Sequence, residues 1–417
     1  MYNVTELNNG IKIVTETIPF VRSISFGIWV KVGSQNENQK SNGISHFIEH
    51  MLFKGTSKRT AKDIAEQMDA IGGQMNAFTT KQMTCYYTRI LDNNFDKALE
   101  IMADMFLNST FNESEMEKEK KVIVEEINMY EDTPEELVFE IMNENVWSGS
   151  SISYPILGSI ENVEGFTRQI VKSYYNNNYT PKNIVIAVAG NFETSSMISK
   201  IKKYFESMEN KNCPRTPENI KYTKCIATKQ KNIEQLHVCL GFPGIKTSLE
   251  ENYSIALLNT ILGGGMSSRL YQKIREENGL AYSLFSYNYA YEAVGLFTIY
   301  AAINPTKVEK CIEVIVNEIR NLKSDPITNQ QLSKTKEQLK SSYLMSLENS
   351  SSRMNSLGKS IISFNKILTP EEIINKIDAV SIEQIYQLID QIFVLDSLSI
   401  SAVGKNEYDF ERIIKNV

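Results

Sequence analysis

One arrangement of strands and helices comes round twice in this chain, and that constrains its fold more than any single motif. TCYYTRI at 84–90 and VGLFTIY at 294–300 share a strand pattern. At the same offset FDKALEIMADMF at 95–106 falls on PTKVEKCIEVIV at 305–316, each reading as an amphipathic helix. MLFKGT likewise falls on ILGGGM. The match is one of pattern more than of identity, and it predicts an internal duplication. A chain of 417 residues is long enough for two cores. The polar stretch MENKNCPRTPENIKY, with Pro214 and Pro217 and no periodicity, marks a linker at 209–222. The expected fold class is therefore α+β. It has two homologous domains, 1–208 and 223–417, each a mixed or mostly antiparallel sheet packed with helices.

Local patterns fill in the first copy. Residues 3–17 read as two strands around a turn at Asn9-Gly10. SISFGIWVKV at 23–32 reads as a central strand. A helix is expected over 43–53, with Ser45 near its start and Gly55 just past its end. A second covers 60–71, with Ile64, Met68 and Ile71 on one face. GGQMNAFTTKQMTCYYTRIL reads as two strands joined near Lys81. Amphipathic helices then begin at DNNF and at Ser114.

The chain has three histidines, and two of them, His46 and His50, lie four residues apart with Glu49 just before the second. On a helix, side chains at i and i+4 project from one face, about 6 Å apart along the axis. Two imidazoles so placed can both reach one Zn²⁺. Glu49 borders the same face and can take a proton from a water beside the metal without becoming a ligand. This is the H-x-x-E-H pattern of inverted zinc peptidases. At the duplication offset His46, Glu49 and His50 fall on Ala256, Asn259 and Thr260, so only the first copy carries the cluster.

A catalytic zinc needs a third protein ligand and an open position. The acidic helix from Ser114 offers several glutamates, most of which must form a solvated face. Glu119 and Glu126 share a face because they are two helical turns apart, and Val122 and Ile123 are expected to point inward beside them. A carboxylate on an inward face needs a partner, and a metal is one. The residue pattern does not choose Glu126 over Glu125.

Other classes are disfavoured. A formal net charge of −6 argues against nucleic-acid binding. No segment approaches the roughly 18 uninterrupted apolar residues of a membrane span, and the N-terminus lacks the basic-then-apolar pattern of a secretory signal. Five cysteines without C-x-x-C spacing fit a reducing, cytoplasmic compartment. The run Gly263-Gly264-Gly265 lacks the Lys-Ser/Thr of a phosphate loop and reads as a helix end. His237, in LHVCLGF, reads as a strand histidine.

Taken in order, LNNGIKIV, GSQNENQKSNGISHFIEHMLFKGT, GGQMNAFTTKQMTCYYT, EKEKKVIVEEINMYEDTPEE and LGGGMSSRLYQKIREENGLAYS span nearly the whole chain. Together they resemble the pitrilysin/insulinase family of zinc peptidases, and within it the mitochondrial processing peptidase β-subunits and their bacterial relatives. The resemblance implies one Zn²⁺ per chain, held by His46, His50 and Glu126, with Glu49 as general base and Glu119 as an accessory carboxylate. It implies that Asn76, Ala77 and Phe78 lie on an edge strand that pairs with an extended peptide; the residues alone read as an ordinary half-buried strand. It also implies that Arg275 and Tyr282, from the second half, reach the substrate, Arg275 on a carbonyl and Tyr282 on the developing oxyanion. Such halves close as clamshells, and a homodimer around a peptide chamber is expected, with no nucleic-acid or membrane partner. The alternative is a non-catalytic scaffold or binding subunit of the same family. A purely structural zinc site is disfavoured, because such sites are closed by four ligands, often cysteines, and none lies near the cluster.

Overall fold

A computed structural model describes residues 2–210, 218–405 and 408–416. Of the linker expected at 209–222, residues 211–217 lie outside the described residues, and so does Cys213. Eleven strands are described: β1 (Tyr2–Glu6), β2 (Lys12–Thr17), β3 (Ser23–Val30), β4 (Gln74–Thr79), β5 (Thr84–Leu91), β6 (Ile184–Gly190), β7 (Ile226–Gln230), β8 (Leu236–Gly244), β9 (Ala281–Ala290), β10 (Gly295–Ile303) and β11 (Ser399–Gly404). They form two sheets, ordered β1-β2-β6-β3-β5-β4 and β7-β11-β8-β10-β9. Set β1 aside and the two orders coincide strand for strand. Each sheet is antiparallel except for one parallel pair, β2 with β6 and β7 with β11. The duplication read from the sequence is present as topology.

Each sheet is buried on both faces, so each needs two covering layers. Along β3 the side chains alternate: Ile24, Phe26, Ile28 and Val30 enter the larger core of the first unit, and Trp29 enters a second core on the opposite face. That second core is completed by Met354, Leu357 and Ile361 of the helix Ser350–Phe364. Gly358 lets this helix approach: a Cβ there would lie 2.3 Å from the Trp29 ring. Ser350 meets Ser25 (Oγ to Oγ, 2.9 Å), and Arg353 pairs with the buried Glu16. The second sheet is treated in the same way. Val138, Met142 and Val146 of the helix Pro134–Val146 pack on Cys239, Leu296 and Val403, and Ser401 Oγ donates to the Val138 carbonyl at 2.7 Å.

The two compact units therefore interleave along the chain. One comprises the chain up to Asn128, Tyr154–Glu218 and Ser346–Ile367; the other comprises Met129–Ser153, Asn219–Met345 and Leu368 onward. Among the described residues no helix is long and apolar enough to cross a membrane.

Candidate metal centre

The helix Ile44–Leu52 carries the histidine cluster. Ile44, Phe47, Ile48, Met51 and Leu52 are fully buried, which pins one face into the core and leaves His46, Glu49 and His50 on the side toward β4. Its start is built differently from the expectation placed on Ser45. Gly43 precedes the helix at φ +96°, a left-handed conformation that favours glycine. The free backbone N–H groups are capped from a distance by Glu37. One carboxylate oxygen accepts from Gly43 N at 2.7 Å and from Asn42 Nδ2 at 2.9 Å; the other accepts from Ser45 N at 2.8 Å. Burial pushes the Glu37 carboxyl up to about 7, against the pull of its donors. Glu37→Ala strands those donors inside the protein. It is expected to cost about 2–4 kcal/mol in urea unfolding, and a change of only a few tenths would show that the cap is dispensable.

The acidic helix runs Glu113–Glu131. Met116, Glu119 and Ile123 form its buried line, and Glu126 continues that line half-buried. Val122, expected to point inward, is instead half-exposed at 50%, and Glu125 is exposed. At about 100° per residue the line of Met116, Glu119, Ile123 and Glu126 spans about 80°, and Val122 lies about 40° beyond Glu126 on its outer side.

Three ligand atoms converge. Glu126 Oε2 lies 3.7 Å from His46 Nε2 and 3.6 Å from His50 Nε2, and the group fits within 4.8 Å. These gaps are too long for hydrogen bonds. Zinc bound at about 2.0–2.1 Å to each of three tetrahedral ligands would set them about 3.3 Å apart, a few tenths of an ångström closer than the two Glu126 gaps. His46 is buried, its Nδ1 has no hydrogen-bond partner among the described residues, and Nε2 is the ring nitrogen that faces Glu126. Burial, with His50 next, lowers the His46 pKa to about 3 and keeps it in the neutral form that ligates. Two imidazoles and one carboxylate match the donor set of a hydrolytic zinc site.

The surrounding groups fix this geometry. Glu119, 3% exposed, accepts from His50 Nδ1 at 2.7 Å, which turns His50 Nε2 toward the metal position. Its other oxygen meets Lys54 Nζ at 2.7 Å. Burial raises the Glu119 carboxyl, but His50 and Lys54 outweigh it and hold it below the usual range. Thr79 Oγ1, on β4, donates to Glu49 Oε2. Burial nevertheless leaves the Glu49 carboxyl above its ordinary value, against the pull of Thr79. Sequence reasoning missed Lys54 and Thr79. The only local signal for Lys54 is its place four residues past His50, at the end of the same helix.

β4 pairs with β5 and ends the sheet order, so its other edge is open among the described residues. Ala77 packs on the core beneath the histidine helix, whereas Phe78 packs on the opposite core, edge-on to Trp29 at 5.6 Å. Asn76 shares the face of Phe78, exposed, and its Oδ1 accepts from Ala77 N at 2.8 Å. The three expected substrate-strand residues are thus split between two faces of one edge strand.

In the second unit Arg275 and Tyr282 are neighbours. The guanidinium lies 4.7 Å over the Tyr282 ring and 5.0 Å over Tyr271, and it donates to the Tyr282 carbonyl at 3.2 Å. Tyr282 is 74% exposed. His237 lies on β8 with Nδ1 2.8 Å from the Tyr300 hydroxyl, and the glycine run follows the helix Glu251–Leu262 as its end.

Comparison with known proteins gives concordant results. Residues 12–159 match the family described as insulinase (peptidase family M16), and residues 165–339 match the peptidase M16 inactive domain. The chain is 44% identical over 388 residues to YmxG of Bacillus subtilis, described as an uncharacterized zinc protease, covering 93% of this chain and 95% of that one. Among solved structures, a protease from Helicobacter pylori superposes with a TM-score of 0.91 at 23% identity, covering 97% of this chain and 99% of that one. A Pseudomonas fluorescens structure described as a peptidase M16 inactive domain superposes at 0.90 with 18% identity, covering 97% and 98%. At these identities the structural matches speak for the fold alone.

Proposed function

The chain belongs to the insulinase (M16) family of peptidases, and we propose that it is a zinc-dependent endopeptidase acting on extended or unfolded peptide segments. The observation that carries this reading is the convergence of His46, His50 and Glu126 within 4.8 Å, with Glu49 on the same helix face as the two histidines and left out of the ligand group. A zinc ion held by those three residues supplies Lewis acidity, polarising a peptide carbonyl and making a water easier to deprotonate. The protein's own groups do the rest. Glu49, steadied by Thr79, accepts the proton of the attacking water and returns it to the leaving amine. Glu119 keeps His50 in the tautomer that faces the metal. The open edge of β4 offers main-chain hydrogen bonds to an extended substrate, with Ala77 on the side of the histidine helix and Asn76 and Phe78 on the other.

Within this reading the first half is the catalytic domain. The second half, whose match is to the inactive domain, contributes Arg275 and Tyr282 to substrate binding. Both sets of residues are present in one chain, which supports a homodimer with a peptide chamber. The four described cysteines are free, which suits the cytoplasm.

The test is digestion of a mixed library of short peptides, read by mass spectrometry. Cleavage is expected with the metal-loaded chain, to stop on adding a chelator and to return with zinc. Zinc binding without any cleavage would favour the scaffold reading and a search for a second, unlike subunit.

A further inference from the structure

Lys54 lies just beyond the histidine helix, in a turn that fixes its backbone. Its N–H donates to the Met51 carbonyl at 3.1 Å, and the following Gly55 takes φ +118°. The side chain is 29% exposed, and its Nζ lies 2.7 Å from Glu119 Oε2. Glu119 is bound at both ends: one oxygen to His50 Nδ1 and the other to Lys54 Nζ, each at 2.7 Å. No other hydrogen bond or ion pair to Glu119 is found among the described residues. A carboxylate with one such bond can turn about its last torsion; one partner on each oxygen holds that torsion.

We propose that Lys54 is a positioning residue for the metal centre, locking the Glu119 carboxylate so that His50 presents Nε2 to the zinc. The inference rests on the zinc-peptidase reading above and extends it to a residue that touches neither metal nor substrate. Its direction separates it from simple electrostatics. A lysine near a cation site repels the cation, so neutralising it would by charge alone tighten zinc binding. A positioning role has the opposite sign: loss of Lys54 loosens Glu119, frees His50 to turn, and weakens zinc.

The experiment measures zinc affinity by competition with a chromophoric chelator at fixed pH. The proteins are the wild type, Lys54→Met, Lys54→Gln, Lys54→Arg, Glu119→Gln and the double variant Lys54→Met/Glu119→Gln. Thermal unfolding of the metal-free proteins identifies any variant that fails to fold. Zinc binding by Lys54→Met and Lys54→Gln is expected to weaken roughly tenfold, the low end of what removing an outer partner of a ligating histidine costs. Lys54→Arg, which keeps a donor on Glu119, restores most of that loss. If Lys54 acts through Glu119, the double variant binds no more weakly than Glu119→Gln alone. Unchanged or tighter binding in the neutral variants, or fully additive losses in the double variant, overturns the positioning role while leaving the zinc site intact. A wild type that binds no zinc overturns both.

Discussion

Glu49→Gln is expected to bind zinc as the wild type does and to cleave peptides about 10²–10⁴-fold more slowly, the range a positioned general base contributes. The substitution is nearly isosteric. The amide oxygen can still accept from Thr79 Oγ1, so the side chain keeps its place against β4. The variant lacks an oxygen basic enough to take the proton of water. Glu49 is not among the three converging ligand atoms, so the metal should be unaffected. The check is kcat for a defined peptide measured beside zinc content in the same preparation. Full activity in this variant would remove Glu49 from the mechanism. Loss of zinc together with activity would move Glu49 from base to ligand.

Glu126→Gln and its neighbour Glu125→Gln are expected to part ways sharply. The two glutamates are adjacent in sequence and identical in type, but the helix Glu113–Glu131 turns only Glu126 toward His46 and His50, at 3.7 and 3.6 Å. A neutral amide is a poor zinc ligand, and losing one of three protein donors should weaken zinc by more than the roughly 100-fold that bounds the loss of an outer partner. Activity at limiting zinc should fall with it. Glu125 is exposed, and its replacement should change neither. Equal effects at the two positions would contradict the orientation of this helix.

The parts of the site that were legible in the sequence are those set by helical geometry. His46, Glu49 and His50 lie within five residues, and an i, i+4 pair needs only a helix to become a shared face. Seven-residue spacing likewise put Glu119 and Glu126 on one line, although it could not reject Glu125 and turned Val122 the wrong way. Val122 falls just past Glu126, beyond the outer edge of the buried line. What escaped the sequence depends on long-range placement. Glu37 sits in a polar stretch without periodicity, yet it is buried and caps the histidine helix. Lys54 has the composition of a solvated residue, and only a glutamate from a distant helix gives it a role. Thr79 reads as an ordinary strand residue until β4 is laid beside the histidine helix.

The fold divides in the same way. The strand and helix that recur at one offset announced two copies; the sheet orders match strand for strand, which those few elements do not dictate. The use of Ser350–Phe364 on the first sheet and of Pro134–Val146 on the second has no local signature, because an amphipathic helix does not state which sheet it will cover. Gly358 is the nearest to a clue, a glycine inside a helix where the Trp29 ring leaves no room for a Cβ.

The most direct test of the central claim is a zinc titration of the metal-free chain with peptide cleavage as the readout. The rate is expected to rise in proportion to added zinc and to level off at one ion per chain, and the same titration of Glu126→Gln should stay near the baseline. Cleavage that is independent of zinc, or zinc bound at one per chain with no cleavage of any peptide, would contradict the assignment of His46, His50 and Glu126 as a catalytic metal centre.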